Sequence, residues 1–159
     1  MTVDLLARHP ELIDAVGEMR WREWGYGDAT PAGHIDVTRR EAGKENLPIT
    51  LVAIDANREA LGAVGLDNAD QELSTSERDG RTPWLVGMVV RADVRRQGIG
   101  RVLVRRLEQA AIEFGHRRLW VATGDHAMDF YRRCGWEPVQ RLRLRSTGVD
   151  TTILTRVVI

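Results

Sequence analysis

Residues 84–114 read WLVGMVVRADVRRQGIGRVLVRRLEQAAIEF. The apolar run Trp84–Val90 is typical of a buried strand, residues 91–97 of a turn, and the stretch after Gly98 of an amphipathic helix. This arrangement predicts an anion-binding site, because the first N–H groups of a helix have no intrahelical acceptor and carry about half a positive charge. Gly98 and Gly100 have no Cβ, so a phosphate can approach their backbone closely.

The glycine spacing excludes two common phosphate sites. A P-loop needs a lysine directly after its last glycine, and the only lysine of the chain is Lys44. A dinucleotide fingerprint needs a third glycine three residues after Gly100, where Leu103 stands. The basic turn therefore belongs to another class of phosphate-binding protein.

The turn Arg95-Arg96-Gln97-Gly98-Ile99-Gly100 is similar to the Arg/Gln-x-x-Gly-x-Gly/Ala signature of the GCN5-related N-acetyltransferase (GNAT) superfamily. Residues 125–138, DHAMDFYRRCGWEP, resemble the later motif of that superfamily, a short helix with a Phe-Tyr pair closed by glycine and an aromatic residue. The resemblance implies a mixed α/β fold, in which helices flank both faces of a mixed central β-sheet. The element order read from the sequence, β-α-α-β-β-β-α-β-α-β-β, agrees with it.

The resemblance also implies acetyl-CoA as cofactor, with its pyrophosphate on the turn and its pantetheine arm on the end of the preceding strand. In the family that strand diverges from the next parallel strand, often at a bulge. Many relatives have an asparagine about seven residues before the motif tyrosine; here that position is Gly124, and the contact is expected to be lost or to move to Asp125. The implied cofactor-binding residues are Met88, Val89, Val90, Arg95, Arg96, Gln97, Gly98, Ile99, Gly100, Arg101 and Asp125.

For catalysis, the resemblance implies direct transfer of an acetyl group from the thioester to an amine, with Tyr131 as general acid. A phenol with an unperturbed pKa of ~10 is protonated at neutral pH and can donate its proton. The alternative is that Tyr131 packs with Phe130 in the core. Cys134 is expected to be a buried thiol without a catalytic role.

The general base is harder to assign. Many relatives carry a glutamate on the strand before the turn, but Trp84–Val90 contains no acid. Asp67, just after the preceding strand, is the expected base, and Asp70 and Glu72 are poorer candidates. Each of the three is otherwise a solvated loop carboxylate.

The acceptor is expected near Trp21, Glu23 and Trp24, because aromatic faces and a carboxylate suit an amine. The two tryptophans are also spaced for a helix face, so at least one is expected to lie in the core. The predicted acceptor is a primary amine of a small molecule. Two alternatives are a protein or peptide amine, at an N-terminus or a lysine, and a non-catalytic acyl-CoA-binding module.

The chain has 159 residues, and a single domain over residues 1–159 is expected. Lysines and arginines number 23, as do aspartates and glutamates, which argues against a general nucleic-acid binder. With one cysteine the chain forms no internal disulfide. We further expect no metal and no membrane association, a cytoplasmic location, and a monomer or homodimer.

Two local predictions concern the surroundings of the site. Residues 67–81 are polar without periodicity and are predicted to form a loop. In the long helix, the predicted buried face is Ile99, Val102, Leu103, Leu107, Ala110, Ala111 and Phe114, and Glu108 is predicted to face solvent.

Overall fold

The computed structural model describes residues 1–159. The strands are β1 Thr2–Leu5, β2 Ile49–Ile54, β3 Ala60–Asp67, β4 Trp84–Val90, β5 Arg118–Thr123, β6 Glu137–Arg143 and β7 Asp150–Val157. The helices are α1 Ile13–Trp24, α2 Ala32–Arg40, α3 Thr75–Arg78, α4 Ile99–Glu113 and α5 Asp125–Arg133. The predicted order of elements is confirmed, with α3 as an addition.

The seven strands form one mixed sheet in the order β1-β2-β3-β4-β5-β7-β6. The pairs β1–β2 and β2–β3 are antiparallel, as are β5–β7 and β6–β7. β4 and β5 are parallel, with Trp84 opposite Trp120. The predicted fold class, a mixed sheet flanked by helices, is therefore confirmed.

The chain packs as two compact units. The first comprises residues 1–66 and 87–107, and the second comprises residues 67–86 and 108–159. β4 and α4 contribute residues to both. The expectation of a single domain stays a prediction.

In the first unit, α1 packs its apolar face on the strands. Its core includes Leu6, Val16, Val52, Ala63 and Val89, all buried. The contacts follow from the helical spacing of apolar residues in α1 and from the continuous apolar run of β2, which reads ITLVAI and is buried throughout. This core supports the end of β4, from which the basic turn departs.

The second unit is centred on tryptophan and leucine side chains. Leu73, Trp84, Leu144 and Ile153 form a buried cluster, and Trp120 packs against it with its ring centroid 6.5 Å from that of Trp84. Trp84 also donates its indole N–H to the carbonyl oxygen of Arg81 at 2.7 Å. The polar edge of the Trp84 ring is thus bound to the backbone.

The prediction of a loop over residues 67–81 is wrong at α3. Ser74 starts this short helix with a capping box: its hydroxyl accepts from the N–H of Glu77 at 3.2 Å, and its own N–H donates to the Glu77 carboxylate at 2.9 Å. The sequence Ser-Thr-Ser-Glu carries this signal, which satisfies two helix-end donors without any apolar periodicity.

The buried face of α4 is also shifted from the prediction. Leu103, Val104 and Leu107 are fully buried, whereas Val102 is 38% exposed. Glu108, predicted to face solvent, is buried because its carboxylate has partners: Trp136 donates Nε1–H to it at 3.2 Å, and Arg156 Nε lies 3.6 Å away. Glu108 can therefore be buried despite its charge, because its carboxylate is paired.

Candidate cofactor-binding turn and active-site residues

The basic turn after β4 has a backbone shape that suits an anion. Residues Ala92–Val94 form one 3₁₀ turn. Arg96 and Gly98 then take left-handed conformations, with φ of +64° and +83°. Successive N–H groups in such a turn converge on one concavity, which is a common binding site for phosphate oxygens. An arginine at positive φ is strained, and such strain is typical of functional turns.

The helix start supplies further donors. Val102 donates its N–H to the carbonyl oxygen of Gly98 at 3.1 Å, which makes Gly98 the residue before the first helical turn. The N–H groups of Ile99, Gly100 and Arg101 therefore have no acceptor within the helix. The Ile99 side chain is buried and anchors this end, while Gln97, Gly98 and Arg101 are exposed.

The space above the turn is open enough for a diphosphate. A Cβ built on Gly98 would meet no heavy atom within 4 Å, so the backbone is open to a ligand. Arg96 and Arg101 are exposed arginines on the same turn, and guanidinium groups bind phosphate oxygens through paired hydrogen bonds. The predicted residues of the turn are thus brought together around one open, positively charged concavity.

Two arginines brace the turn. Arg91 donates its backbone N–H to Leu61 at 2.8 Å and its guanidinium to Ala60 at 3.2 Å, which ties the turn to β3. Arg95 donates to the carbonyl oxygen of Val90 at 3.0 Å, and its Nη2 lies 3.0 Å from the Glu23 carboxylate. Arg95 therefore links a predicted cofactor residue to a predicted substrate residue.

β4 has an irregular backbone conformation before the residues predicted to hold the pantetheine arm. Gly87 lies in the middle of the strand with φ of +58°, a conformation typical of a bulge. Of the three residues that follow, Val89 is buried, and Met88 and Val90 are half-buried. A Cβ on Gly62 would lie 2.6 Å from the carbonyl oxygen of Val89, so this close approach of β3 requires glycine.

Arg20 is a residue of this region that the sequence interpretation missed. It is 4% exposed and donates through Nε to the carbonyl oxygen of Gly87 at 3.2 Å. Burial lowers the pKa of its guanidinium, which Glu41 partly offsets. A signal was available, because Arg20 continues the buried spacing of Ile13 and Val16 on α1.

The predicted acceptor residues lie on the last turn of α1. Trp21 is half-buried and donates Nε1–H to the carbonyl oxygen of Asp28 at 3.0 Å, and Trp24 is 39% exposed. The expectation that one of these tryptophans is a core residue is wrong, since the helix ends here and turns away at Gly25. With Tyr26 at 88% exposure, they form an aromatic rim next to Glu23.

In the second unit, Tyr131 is buried on α5. Its ring meets Phe130 edge-on with centroids 5.1 Å apart, and the Trp136 ring lies 5.8 Å away. Burial raises the pKa of its phenol, so the group is protonated throughout the range in which proteins are active. Cys134 is buried beside it, as predicted.

The candidate bases lie at the end of β3 and on the segment that follows it. Asp67 is the last residue of β3 and is half-buried, and Glu72 is exposed. Burial raises the pKa of Asp70 to about 6, although its carboxylate accepts a hydrogen bond from the N–H of Glu72 at 3.0 Å. A carboxyl group with that pKa can exchange protons near neutral pH.

Asp125 begins α5 and is held by Arg141. The guanidinium donates to both carboxylate oxygens, at 3.0 and 3.3 Å, and this pairing lowers the pKa of Asp125. No group of three or more His, Cys, Asp or Glu side chains could hold a metal ion. None of the helices is both long and apolar enough to span a membrane.

Comparison with known proteins defines the family. The family model described as "Acetyltransferase (GNAT) family" matches residues 13–136, and the chain belongs to this family. It is therefore an acetyltransferase of the GNAT type. No protein among the curated ones matches the sequence.

Solved structures share the fold over the whole chain. An aminoglycoside 6'-N-acetyltransferase complexed with coenzyme A has a TM-score of 0.80 at 18% identity, with 100% of this chain and 98% of that chain covered. Arabidopsis thaliana NAA60 in complex with acetyl-CoA has a TM-score of 0.71 at 14% identity, with 99% and 98% covered. A spermidine N-acetyltransferase from Vibrio cholerae has a TM-score of 0.69 at 12% identity, with 99% and 95% covered.

Proposed function

We propose that this acetyltransferase acetylates a primary amine of a small, positively charged molecule. The observation that carries the proposal is the ion pair between Glu23 and Arg95, which holds a carboxylate beside the cofactor-binding turn. The neighbouring Trp24 and Tyr26 are exposed aromatic side chains, and such faces attract ammonium groups. Structural neighbours named for aminoglycosides and spermidine support the same substrate class.

The proposed cofactor residues divide into two sets. The N–H groups of the turn and helix start, together with Arg95, Arg96 and Arg101, would hold the diphosphate of coenzyme A. The backbone groups of Met88, Val89 and Val90 would hold the pantetheine arm. We include Asp125, in the first turn of α5, as a further residue that would contact the cofactor.

Starting from an ammonium acceptor, the proposed reaction removes two protons from the nitrogen, one before and one after the C–N bond forms. It supplies one proton to the sulfur, and the net proton goes to solvent. The cofactor would supply a thioester, whose acyl carbon would form a C–N bond to the amine and then lose its C–S bond. The base takes a proton from the acceptor, whose ammonium form has a pKa of ~10.4 in a lysine-type amine. Tyr131, whose phenol is protonated at neutral pH, would donate its proton to the departing thiolate.

For the base we retain the two aspartates of the segment after β3. Asp67 has the position next to the strand end, and Asp70 has a pKa raised by burial to about 6. Replacing Asp67 and Asp70 with asparagine, one at a time, shows which of the two is the base. The base variant is expected to lose most of kcat with a cationic amine, and the other to keep it.

The direct test is thiol release from acetyl-CoA with a panel of polyamines, aminoglycosides and peptides. We expect polyamines or aminoglycosides to give the highest kcat/KM. Glu23→Gln should raise KM for these amines several-fold, whereas Arg22→Gln, an exposed change at the next position, should not. Tyr131→Phe should lower kcat, and unchanged release in that variant would remove its proposed role.

A peptide amine is the second candidate acceptor, favoured by the similarity of the fold to NAA60. It predicts that peptides exceed free polyamines in kcat/KM, either at their N-terminus or at a lysine. A third possibility, a non-catalytic acyl-CoA-binding module, is favoured by the lack of an acid on Trp84–Val90. It predicts cofactor binding without turnover on any amine in the panel.

A further inference from the structure

Arg20 makes an unusual set of contacts for a buried cation. Its Nε donates to the carbonyl oxygen of Gly87, and its Nη1 donates to the Thr38 hydroxyl at 3.1 Å. The Glu41 carboxylate lies 3.7 Å from Nη1. Nη2 is buried and has no hydrogen-bond partner. One guanidinium thus joins α1, α2 and β4 within the first unit.

These contacts are a costly way to stabilise a helix. A buried charge must be paired and fully hydrogen-bonded to offset its lost hydration, and an unpartnered N–H adds to the cost. An apolar side chain of similar volume at such a position is often equally or more stabilising. The role of Arg20 therefore lies in its contact with β4 rather than in stability alone.

Gly87 and Arg20 fit each other sterically. A Cβ on Gly87 would lie 2.8 Å from Nη2 and 2.9 Å from Cζ of Arg20, and Gly87 has φ of +58°. Glycine is the residue that accommodates both the close approach and this conformation. The guanidinium packs against the bulge and holds its carbonyl oxygen toward α1.

The direction of one N–H follows from this contact. In a trans peptide group the C=O and the following N–H point in opposite directions. Because the carbonyl oxygen of Gly87 points at Arg20, the N–H of Met88 points away from it. Met88 is the first of the strand residues proposed above to contact the cofactor.

We propose that Arg20 is a positioning residue, which aims the Met88 N–H at the carbonyl oxygen of the bound thioester. The inference rests on the proposed transferase function. That oxygen gains negative charge when the amine adds to the carbonyl carbon, and it loses the charge when the C–S bond breaks. A donor aimed in advance stabilises this charge, and loss of one such donor typically lowers kcat by about 10²–10³-fold.

The test compares Arg20→Met with wild type. The substitution leaves the Met88 N–H in place but no longer holds its direction, so kcat is expected to fall by about 10–100-fold. The affinity for coenzyme A is expected to stay within about two-fold, because the diphosphate turn is unchanged. Arg20→Lys keeps the charge and one donor and should recover part of kcat. The matched control is Arg117→Met at an exposed arginine, which should behave as wild type.

A second readout needs no activity. In the ligand-free protein, amide hydrogen exchange of a peptide spanning residues 85–90 should be faster in Arg20→Met than in wild type or Arg117→Met. Gly87→Ala, which breaks the same fit from the other side, should lower kcat with coenzyme A still bound. It replaces Arg20→Met if that variant does not fold.

Two results overturn the proposal: kcat within about two-fold of wild type in folded Arg20→Met and Gly87→Ala, or unchanged exchange in residues 85–90. Its failure is distinguishable from failure of the proposed function. If wild type turns over no amine, the transferase proposal fails, while the exchange experiment still reports whether Arg20 holds the strand.

Discussion

Replacing Asp70 with asparagine is expected to stabilise the protein at neutral pH. The pKa of Asp70 is raised from 3.8 to about 6, chiefly by burial. The folded state therefore holds the proton more tightly than the unfolded chain. This contribution to stability is present below the unfolded pKa and is lost as the pH rises through about 6.

The size of the effect follows from the same values. At ~1.36 kcal/mol per pKa unit, a rise from 3.8 to about 6 corresponds to about 3 kcal/mol for the ionised carboxylate. The side chain is only half-buried, so we expect a gain of roughly 1–3 kcal/mol in the free energy of unfolding at pH 8. An asparagine oxygen can still accept from the N–H of Glu72.

The assay is urea unfolding followed by tryptophan fluorescence at several pH values between about 4 and 8. The difference in free energy of unfolding between Asp70→Asn and wild type should grow across this range and vanish at its acidic end. Glu113→Gln, at an exposed carboxylate of α4, is the control and should change stability by less than about 0.5 kcal/mol. A difference that is constant with pH, or a destabilised Asp70→Asn at pH 8, would show that this carboxylate is not desolvated.

Three further changes test other parts of the structure. Gly98→Glu should abolish coenzyme A binding in calorimetry, because it places a carboxylate at the helix start and a side chain at φ of +83°; Glu113→Gln is the control. Arg96→Gly should raise the free energy of unfolding by about 1 kcal/mol, because glycine adopts positive φ without strain, and should weaken coenzyme A binding, because a positive charge is lost. A variant in which stability and affinity change in the same direction would contradict this prediction. Glu108→Ala should lower the free energy of unfolding by roughly 1–3 kcal/mol, because it leaves the buried Trp136 indole N–H without its acceptor and removes the carboxylate that lies 3.6 Å from Arg156; an unchanged free energy of unfolding would contradict the assigned network.

Much of the fold was predictable because its signals are local. The apolar run of β4, the glycines at the start of α4 and the glycine after it each specify backbone conformation through nearby residues. Gly115, just after the end of α4, takes φ of +86°, a conformation that glycine commonly adopts at a helix C-terminus. The basic turn was predictable for the same reason, since its donors come from one continuous segment.

What escaped prediction depends on contacts between distant residues. Arg20 and Gly87 are 67 positions apart, and the sequence around either residue does not predict their hydrogen bond. Glu108 is buried only because Trp136 and Arg156 reach it from elsewhere in the chain. The helical pattern alone placed Val102 rather than Val104 on the buried face, because it fixes the period but not the direction of the face.

The central claim is that the N–H groups at the start of α4 bind the diphosphate of coenzyme A. Titration calorimetry of the whole protein with coenzyme A tests it most directly, with Gly98→Glu and Tyr131→Phe measured in parallel. We predict saturable heat for one site in wild type and Tyr131→Phe, and none in Gly98→Glu. Equal binding by Gly98→Glu, or no heat in the wild-type protein, would contradict the claim.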